Sequence, residues 1–321
     1  MWVVLISTVA GVLYGARFGG LITGAATGAA TGGLLSFVEI FVLRGFAQAA
    51  LSRLPFAAYL ALRIGVYLAA IVGCDVAVTK LAGHDLVAES GDLGFAVSMA
   101  VIVNLLFGVN DLLGPGVLYA FVAGRYRRPR REERVLLYID LCGSTALAER
   151  LGEERFLDLL NAFYADVTAE IVARGGEIHK YVGDEVIAVW RDGANPEQPI
   201  RACLAARRRL KERAAAYRAR FGEAPDFRAA IHAGPVVIGE LGAQKKEIAL
   251  IGDAMNTAAR ILEAARETGA SALISASYYE RLARALPGVA VERLAPVALR
   301  GKSAPLSLIS VGEQRERVAG G

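Results

Sequence analysis

Two aspartates stand where cation and phosphate chemistry needs them. Asp140 follows the apolar run Val135-Leu136-Leu137-Tyr138-Ile139, and Gly143-Ser144-Thr145 comes directly after, ahead of a helical stretch over about 146–174. A strand that delivers a carboxylate beside a helix N-terminus suits a metal–phosphate complex: Asp140 holds the cation while backbone amides of Cys142 to Thr145 cradle phosphate oxygens. An aspartate at such a junction also serves as an ordinary N-cap. The segment Gly175–Trp190 reads as a β-hairpin whose turn, Gly183-Asp184, presents the second aspartate. Two carboxylates converging from neighbouring strands suit a hard ion such as Mg²⁺, which takes a few carboxylates plus phosphate oxygens. His179 in the same hairpin reads as structural, because no second His or Cys lies at ligand spacing.

Further along, Asp253 is placed to cap a helix on which Asn256 and Arg260, four apart, share one face. An amide beside a guanidinium can orient a ribose oxygen and clamp a phosphate; taken alone, the pair also fits an exposed helix face. The elements that must position these groups follow from the pattern. A strand ends at Asp140, a long helix follows, then the hairpin. A charged helix spans about 197–219, a core strand and hairpin begin at Phe227, and the helix after Asp253 is followed by a strand–helix–strand segment ending over 306–311.

Composition divides the 321 residues in two. The whole chain is 55% hydrophobic, with mean hydropathy +0.41 and net charge +4. Residues 1–124 hold only five Lys/Arg and six Asp/Glu, whereas the remainder has the charge density of a soluble domain. Four apolar stretches, roughly 2–16, 19–43, 55–78 and 93–123, compare with the ~20 residues that a membrane-spanning helix needs. The first is short, and Gly114-Pro115-Gly116 interrupts the fourth. Arg44 and Arg53 lie between the second and third stretches, and Arg125, Arg127, Arg128, Arg130, Arg131 and Arg134 follow the fourth. By the positive-inside rule both ends face the cytoplasm. The basic excess is local and reads as a juxtamembrane anchor on anionic lipid, with no nucleic acid as partner. Gly20, Gly24, Gly28 and Gly32 recur every four residues and allow close backbone approach, either within the chain or at a homodimer seam. Arg63, Asp75, Asn104 and Asp111 are charged or polar groups in or near these stretches, and Arg63 can pair with Glu39 or reach the membrane surface. Cys74, Cys142 and Cys203 are widely spaced and read as reduced, packed thiols.

Five blocks occur in order: Tyr138-Ile139-Asp140-Leu141-x-Gly-Ser-Thr, Lys180-x-x-Gly183-Asp184, Ile231-His232-x-Gly234-x-Val236, Ile251-Gly252-Asp253-x-x-Asn256-x-x-x-Arg260 and Leu299-x-Gly301-Lys302. With them, the chain from about Arg134 to Val311 resembles the class III nucleotidyl cyclase catalytic domain, most closely that of membrane-anchored bacterial adenylate cyclases. The resemblance implies an α+β fold, a mixed sheet with surrounding helices and a ferredoxin-like core, preceded by an all-α transmembrane bundle. Together with the charge split and the apolar stretches, this gives residues 1–124 as a transmembrane domain of about four helices, 125–134 as a basic linker, 135–311 as the catalytic domain and 312–321 as a polar tail.

The implied activity is conversion of ATP to 3′,5′-cyclic AMP and pyrophosphate by a multi-pass protein of the inner membrane with its catalytic domain in the cytoplasm. By the same resemblance, Asp140 and Asp184 bind two divalent ions, Mg²⁺ or Mn²⁺, per site. Lys180 reads the purine edge, and Asn256 and Arg260 orient the ribose and stabilise charge on the α-phosphate. Lys302 contacts phosphate, as do the backbone amides at Gly143, Ser144 and Thr145. Metal and base-reading groups come from opposite partners, which implies a homodimer. One position departs from the pattern: Ala249 stands where adenylate cyclases carry Asp or Thr to accept from the adenine amine, and a methyl group accepts no hydrogen bond. A cyclase with relaxed ATP/GTP choice and a catalytically silent, nucleotide-binding receptor are the alternatives. Val182-Gly183-Asp184-Glu185-Val186 also echoes a diguanylate cyclase signature, which explains neither Asn256 and Arg260 nor Lys302.

Overall fold

The computed structural model describes residues 126–191, 193–244, 246–282, 286–297 and 305–313, Gly124, and parts of the N-terminal region, chiefly 21–39 and 56–81. The chain divides into two units, Met1–Leu118 and Tyr119–Gly321.

In the first unit, helices α1 (Leu21–Phe37) and α2 (Phe56–Leu81) pack on one another. Arg63 and Glu39 form a buried ion pair at 3.0 Å. Arg63 also donates to Tyr59 and Tyr67, and Tyr67 donates to Glu39. A charge pair buried in an apolar unit is costly unless further hydrogen bonds support it. The two tyrosines supply them to the terminal guanidinium nitrogens and the carboxylate, leaving Arg63 Nε alone without a partner among the described residues. The pairing alternative for Arg63 is therefore the one observed. Gly28 and Gly32 are buried within the chain itself, while Gly33 is exposed.

The four-span expectation is not met by this unit. Among the described residues no helix is long and apolar enough to cross a membrane. The 17 residues of α1 fall short of the ~20 needed, and α2, at 26, carries Arg63, Asp75 and Lys80. Gly20, Asp111 and most of the first and fourth apolar stretches lie outside the described residues, as does the side chain of Asp75.

The second unit is built on strand β1 (Arg130–Leu141). It is followed by α3 (Ser144–Leu151), α4 (Glu153–Val172), β2 (Glu177–Val182), β3 (Glu185–Arg191), α5 (Gln198–Glu212), α6 (Ala214–Phe221) and β4 (Phe227–Leu241). Then come β5 (Glu247–Ile251), α7 (Asp253–Thr268), β6 (Ala272–Ser275), α8 (Ala276–Tyr279), β7 (Val289–Arg293) and β8 (Leu308–Glu313). The sheet runs β2-β3-β1-β4-β6-β8-β7, with β5 paired to β4. The β4–β6 pair is parallel and the rest are antiparallel, so the sheet is mixed as expected. The order β2-β3-β1-β4, with helices after β1 and β3, is the split βαβ arrangement of ferredoxin-like cores.

Strand β1 is apolar because both its faces are covered. Leu137, Ile139 and Leu141 face one core with Leu159, Phe163, Val167 and Ile171 of α4, while Leu136 and Tyr138 face the other with Ala258, Ile261 and Leu262 of α7. Asp166, fully buried on α4, accepts from Arg209, Arg213 and Tyr217 and ties α4 to the helices beside it. The sequence reading placed residues 125–134 in a linker; β1 begins at Arg130, and Arg134 is buried within it, 2% exposed. Pairing with β4 from Arg130 onward, joined by β3 at Arg134, extends the strand through this charged stretch.

Candidate active site

The end of β1 is fixed before any ligand arrives. Asp140 pairs in register with Glu185 of β3, and the next amide, of Leu141, donates to the backbone oxygen of Asp184 at 3.4 Å. Asp184 thereby comes beside Asp140 on a two-residue turn. Gly183 takes a left-handed conformation there (φ 62°), which an L side chain resists, and its carbonyl accepts from Tyr164 of α4 at 2.7 Å. Gly143 is likewise left-handed (φ 68°) as the N-cap of α3. This turns the backbone over 143–145 so that α3 starts beside Asp140, as the sequence predicts.

These groups line one open cavity of about 490 Å³, formed by Asp140, Leu141, Gly143, Ser144, Thr145, Ala146, Asp184, Arg228 and Arg266. The two arginines were missed in the sequence, because nothing near either one marks it as functional. Arg266, on the last turn of α7, grips the Asp140 carboxylate with two nitrogens at 2.6 and 3.1 Å, and its pKa is raised chiefly by that bond. Glu185 is pushed up to about 7, first by burial and then by the charge of Asp140. Burial likewise pushes the Tyr164 hydroxyl up to about 12, with the charge of Asp184 adding to it. Burial also pushes up the thiol of Cys142.

The donor chemistry fits a divalent ion. Two carboxylates meet at the cavity beside a neighbouring carboxyl that burial and like charge hold partly protonated. A guanidinium supplies positive charge at Asp140. Among the described residues no three His, Cys, Asp or Glu side chains form a metal cage of their own. Two carboxylates with the remaining positions left to substrate oxygens match the habit of Mg²⁺.

The other candidate residues lie elsewhere on the unit. Lys180 is exposed on β2 and donates to both carboxylate oxygens of Glu247 on β5, at 3.3 and 3.4 Å. Ala249 is half-buried on β5. Asn256 is exposed on α7, and Arg260, one turn on, pairs with Glu263 at 2.8 Å. None of these lines the Asp140 cavity. The structure thus brings together Asp140, Asp184, Gly143, Ser144 and Thr145, and leaves Lys180, Ala249, Asn256 and Arg260 outside that group. Lys302 lies outside the described residues.

Residues 127–310 match the family described as the adenylate and guanylate cyclase catalytic domain. A curated relative, adenylate cyclase 2 of Rhizobium meliloti, is 35% identical over 221 residues, 68% of this chain and 61% of that protein. The chain therefore spans about three fifths of that relative's length. Among solved structures, the adenylyl cyclase CyaB from P. aeruginosa superposes with a TM-score of 0.52 at 24% identity, covering 59% of this chain and 98% of that one. A bacterial light-regulated adenylyl cyclase superposes at 0.58 with 20% identity, covering 71% and 66%. These two likenesses establish the fold.

Proposed function

From the premise that the chain belongs to the adenylate and guanylate cyclase catalytic domain family, we propose that it converts ATP to 3′,5′-cyclic AMP and pyrophosphate at sites shared by two copies of itself. The division of the candidate residues carries this reading. The carboxylates and the phosphate cradle line one cavity, and the groups suited to base and ribose lie outside it on the same chain. A complete site then needs Lys180, Asn256 and Arg260 from a second copy.

Asp140 and Asp184 would hold the two divalent ions, Mg²⁺ or Mn²⁺, which when bound acidify the ribose 3′-hydroxyl and neutralise the triphosphate. The amides over 143–145 hold phosphate oxygens at the start of α3. Arg228 and Arg266 bring positive charge to the same cavity. Asn256 of the second copy orients the ribose, and its Arg260, released from Glu263, meets charge developing on the α-phosphate. ATP is favoured over GTP by Lys180 and by the name of the similar Rhizobium protein.

We place the chain at the inner membrane with this domain in the cytoplasm. Support comes from the charge-poor first 124 residues, from exposed apolar side chains such as Ile22, Phe37, Leu62 and Val72, and from the arginines that follow, which suit anionic lipid.

The test is turnover of ATP and of GTP by the purified chain with Mg²⁺ or Mn²⁺, beside Asp140→Ala. Cyclic AMP from ATP, reduced on the order of 10³-fold in the variant, supports the reading. Comparable cyclic GMP from GTP would mean relaxed base choice, and nucleotide binding without product would replace the reading with a silent receptor.

A further inference from the structure

Ala249 leaves the proposed adenine site without an acceptor for the exocyclic amine, and the strand that carries it offers one two residues away. Side chains two apart on a β-strand face the same side, about 6.6–6.8 Å apart. Glu247 and Ala249 stand in that relation on β5, opposite Leu241 and Gly239 of β4. A glutamate reaches further than the aspartate or threonine expected at 249, so a carboxylate rooted at 247 can serve a base lying over the Ala249 methyl.

Two further observations aim this carboxylate. The β2–β3 register slips between Ile178 and Lys180, a bulge that absorbs His179 and re-aims the residue after it. The Lys180 ammonium then meets both oxygens of Glu247, at 3.3 and 3.4 Å. The pair is half-exposed, 49% and 43%, and an exposed ion pair contributes little to stability. It is therefore free to be redirected toward a ligand. Chemically it is an ammonium with donors only beside a carboxylate with acceptors only. Adenine presents the complement along one edge, the N1 acceptor next to the amine donor.

We propose that Glu247 is the specificity-determining acceptor of this cyclase, taking the adenine amine that Ala249 cannot take while Lys180 donates to N1. This deepens the ATP reading above and rests on it. The two residues then read the base as a unit, and removing the acceptor weakens recognition of the amine in particular.

The experiment compares ATP with purine riboside 5′-triphosphate, which keeps N1 and lacks the amine, on the full chain. Glu247→Met, which keeps the length of the side chain and removes both acceptor oxygens, is expected to lower kcat/KM for ATP about tenfold, mostly through KM, and to change the amine-free substrate less than about twofold. Moving the carboxylate, with Glu247→Ala and Ala249→Asp together, is expected to restore ATP to within about threefold of the starting chain. Equal losses on both substrates would mean that Glu247 acts only by holding Lys180 and would overturn the proposal, as would no loss on either. If the unaltered chain forms no cyclic product, the cyclase reading fails instead. Competition of the same two nucleotides against a fluorescent ATP analogue then decides the role of Glu247 by the same amine dependence.

Discussion

Asp140 and Lys180 both carry a charge that the proposed function assigns to the nucleotide site, and the fold holds them in opposite ways. Asp140 is 5% exposed at the end of a strand paired on both sides, and Arg266 satisfies its carboxylate through two hydrogen bonds. Lys180 stands about half-exposed on a strand that, among the described strands, pairs with β3 alone, and its ion pair with Glu247 is longer than 3 Å. Arg260 resembles Lys180, with its guanidinium spent on a neighbour on its own helix. The acidic half of the site is assembled within the chain before any ligand binds. On the proposed reading, the basic half is assembled only when a second copy and a nucleotide remove water from it. Geometry that must be held closely is placed in the core, and geometry that must be completed by a partner is left at the surface.

The sharpest way to break this contrast is to destroy each half in a different chain. Asp140→Ala and Arg260→Ala are each expected to be inactive, yet mixing them in equal amounts should restore about a quarter of the starting activity. Half of the dimers would then be mixed, each with one intact site of two. Recovery read as cyclic AMP formed after mixing supports the division. A mixture no more active than its parts would mean that both halves serve a site within one chain.

Arg266 sharpens the acidic side of the comparison. Arg266→Ala leaves the Asp140 charge without its internal partner, so Mn²⁺ should bind about tenfold more tightly in the absence of nucleotide. Electron paramagnetic resonance of free Mn²⁺ measures this independently of turnover. Unchanged affinity would show that the guanidinium does not compete with the ion.

The smallest effect expected lies on the basic side. Burial first, and the charge of Lys180 second, hold the His179 imidazole below its ordinary 6.5. Just below pH 6.5 the unfolded chain therefore binds the proton more readily than the folded chain does. The imidazole's contribution to stability is present above pH 6.5 and is lost as pH falls toward the folded value. His179→Gln should flatten the fall in Tm below pH 6.5 by about 1–3 °C. An identical slope in the variant would assign that fall to other groups.

How much of this was legible in the residue order depends on the range of the interaction. Asp140 and Asp184 announce themselves locally, one by the apolar strand before it and the other by the glycine turn that presents it. The individual strands and helices around them follow from the same local patterns, whereas the mixed sheet is an implication of the family resemblance, since its one parallel pair joins strands distant in sequence. Arg266 does not announce itself, because its partner is 126 positions away and an arginine on a helix surface looks like any solvated charge. Arg228 and Glu247 are hidden in the same way, since only the fold shows what they face. The error at residues 130–134 has the same root. Charge density marks a stretch as surface, whereas pairing to two neighbouring strands draws Arg134 inside.

The place of β1 in the sheet also bears on how the protein can vary. A central strand exchanges its amide hydrogens only when much of the domain opens, whereas edge strands open by local fluctuation. Asp140 rides on the strand least able to open, while Lys180 and Glu247 sit on two strands that each have a single neighbour among the described strands. Substitutions that retune the choice of base can therefore accumulate on β2 and β5 with little cost to the core. The end of β1 proposed to hold the metal ions has no such latitude, so on this reading one chain can over time change which purine it prefers while keeping the reaction it performs.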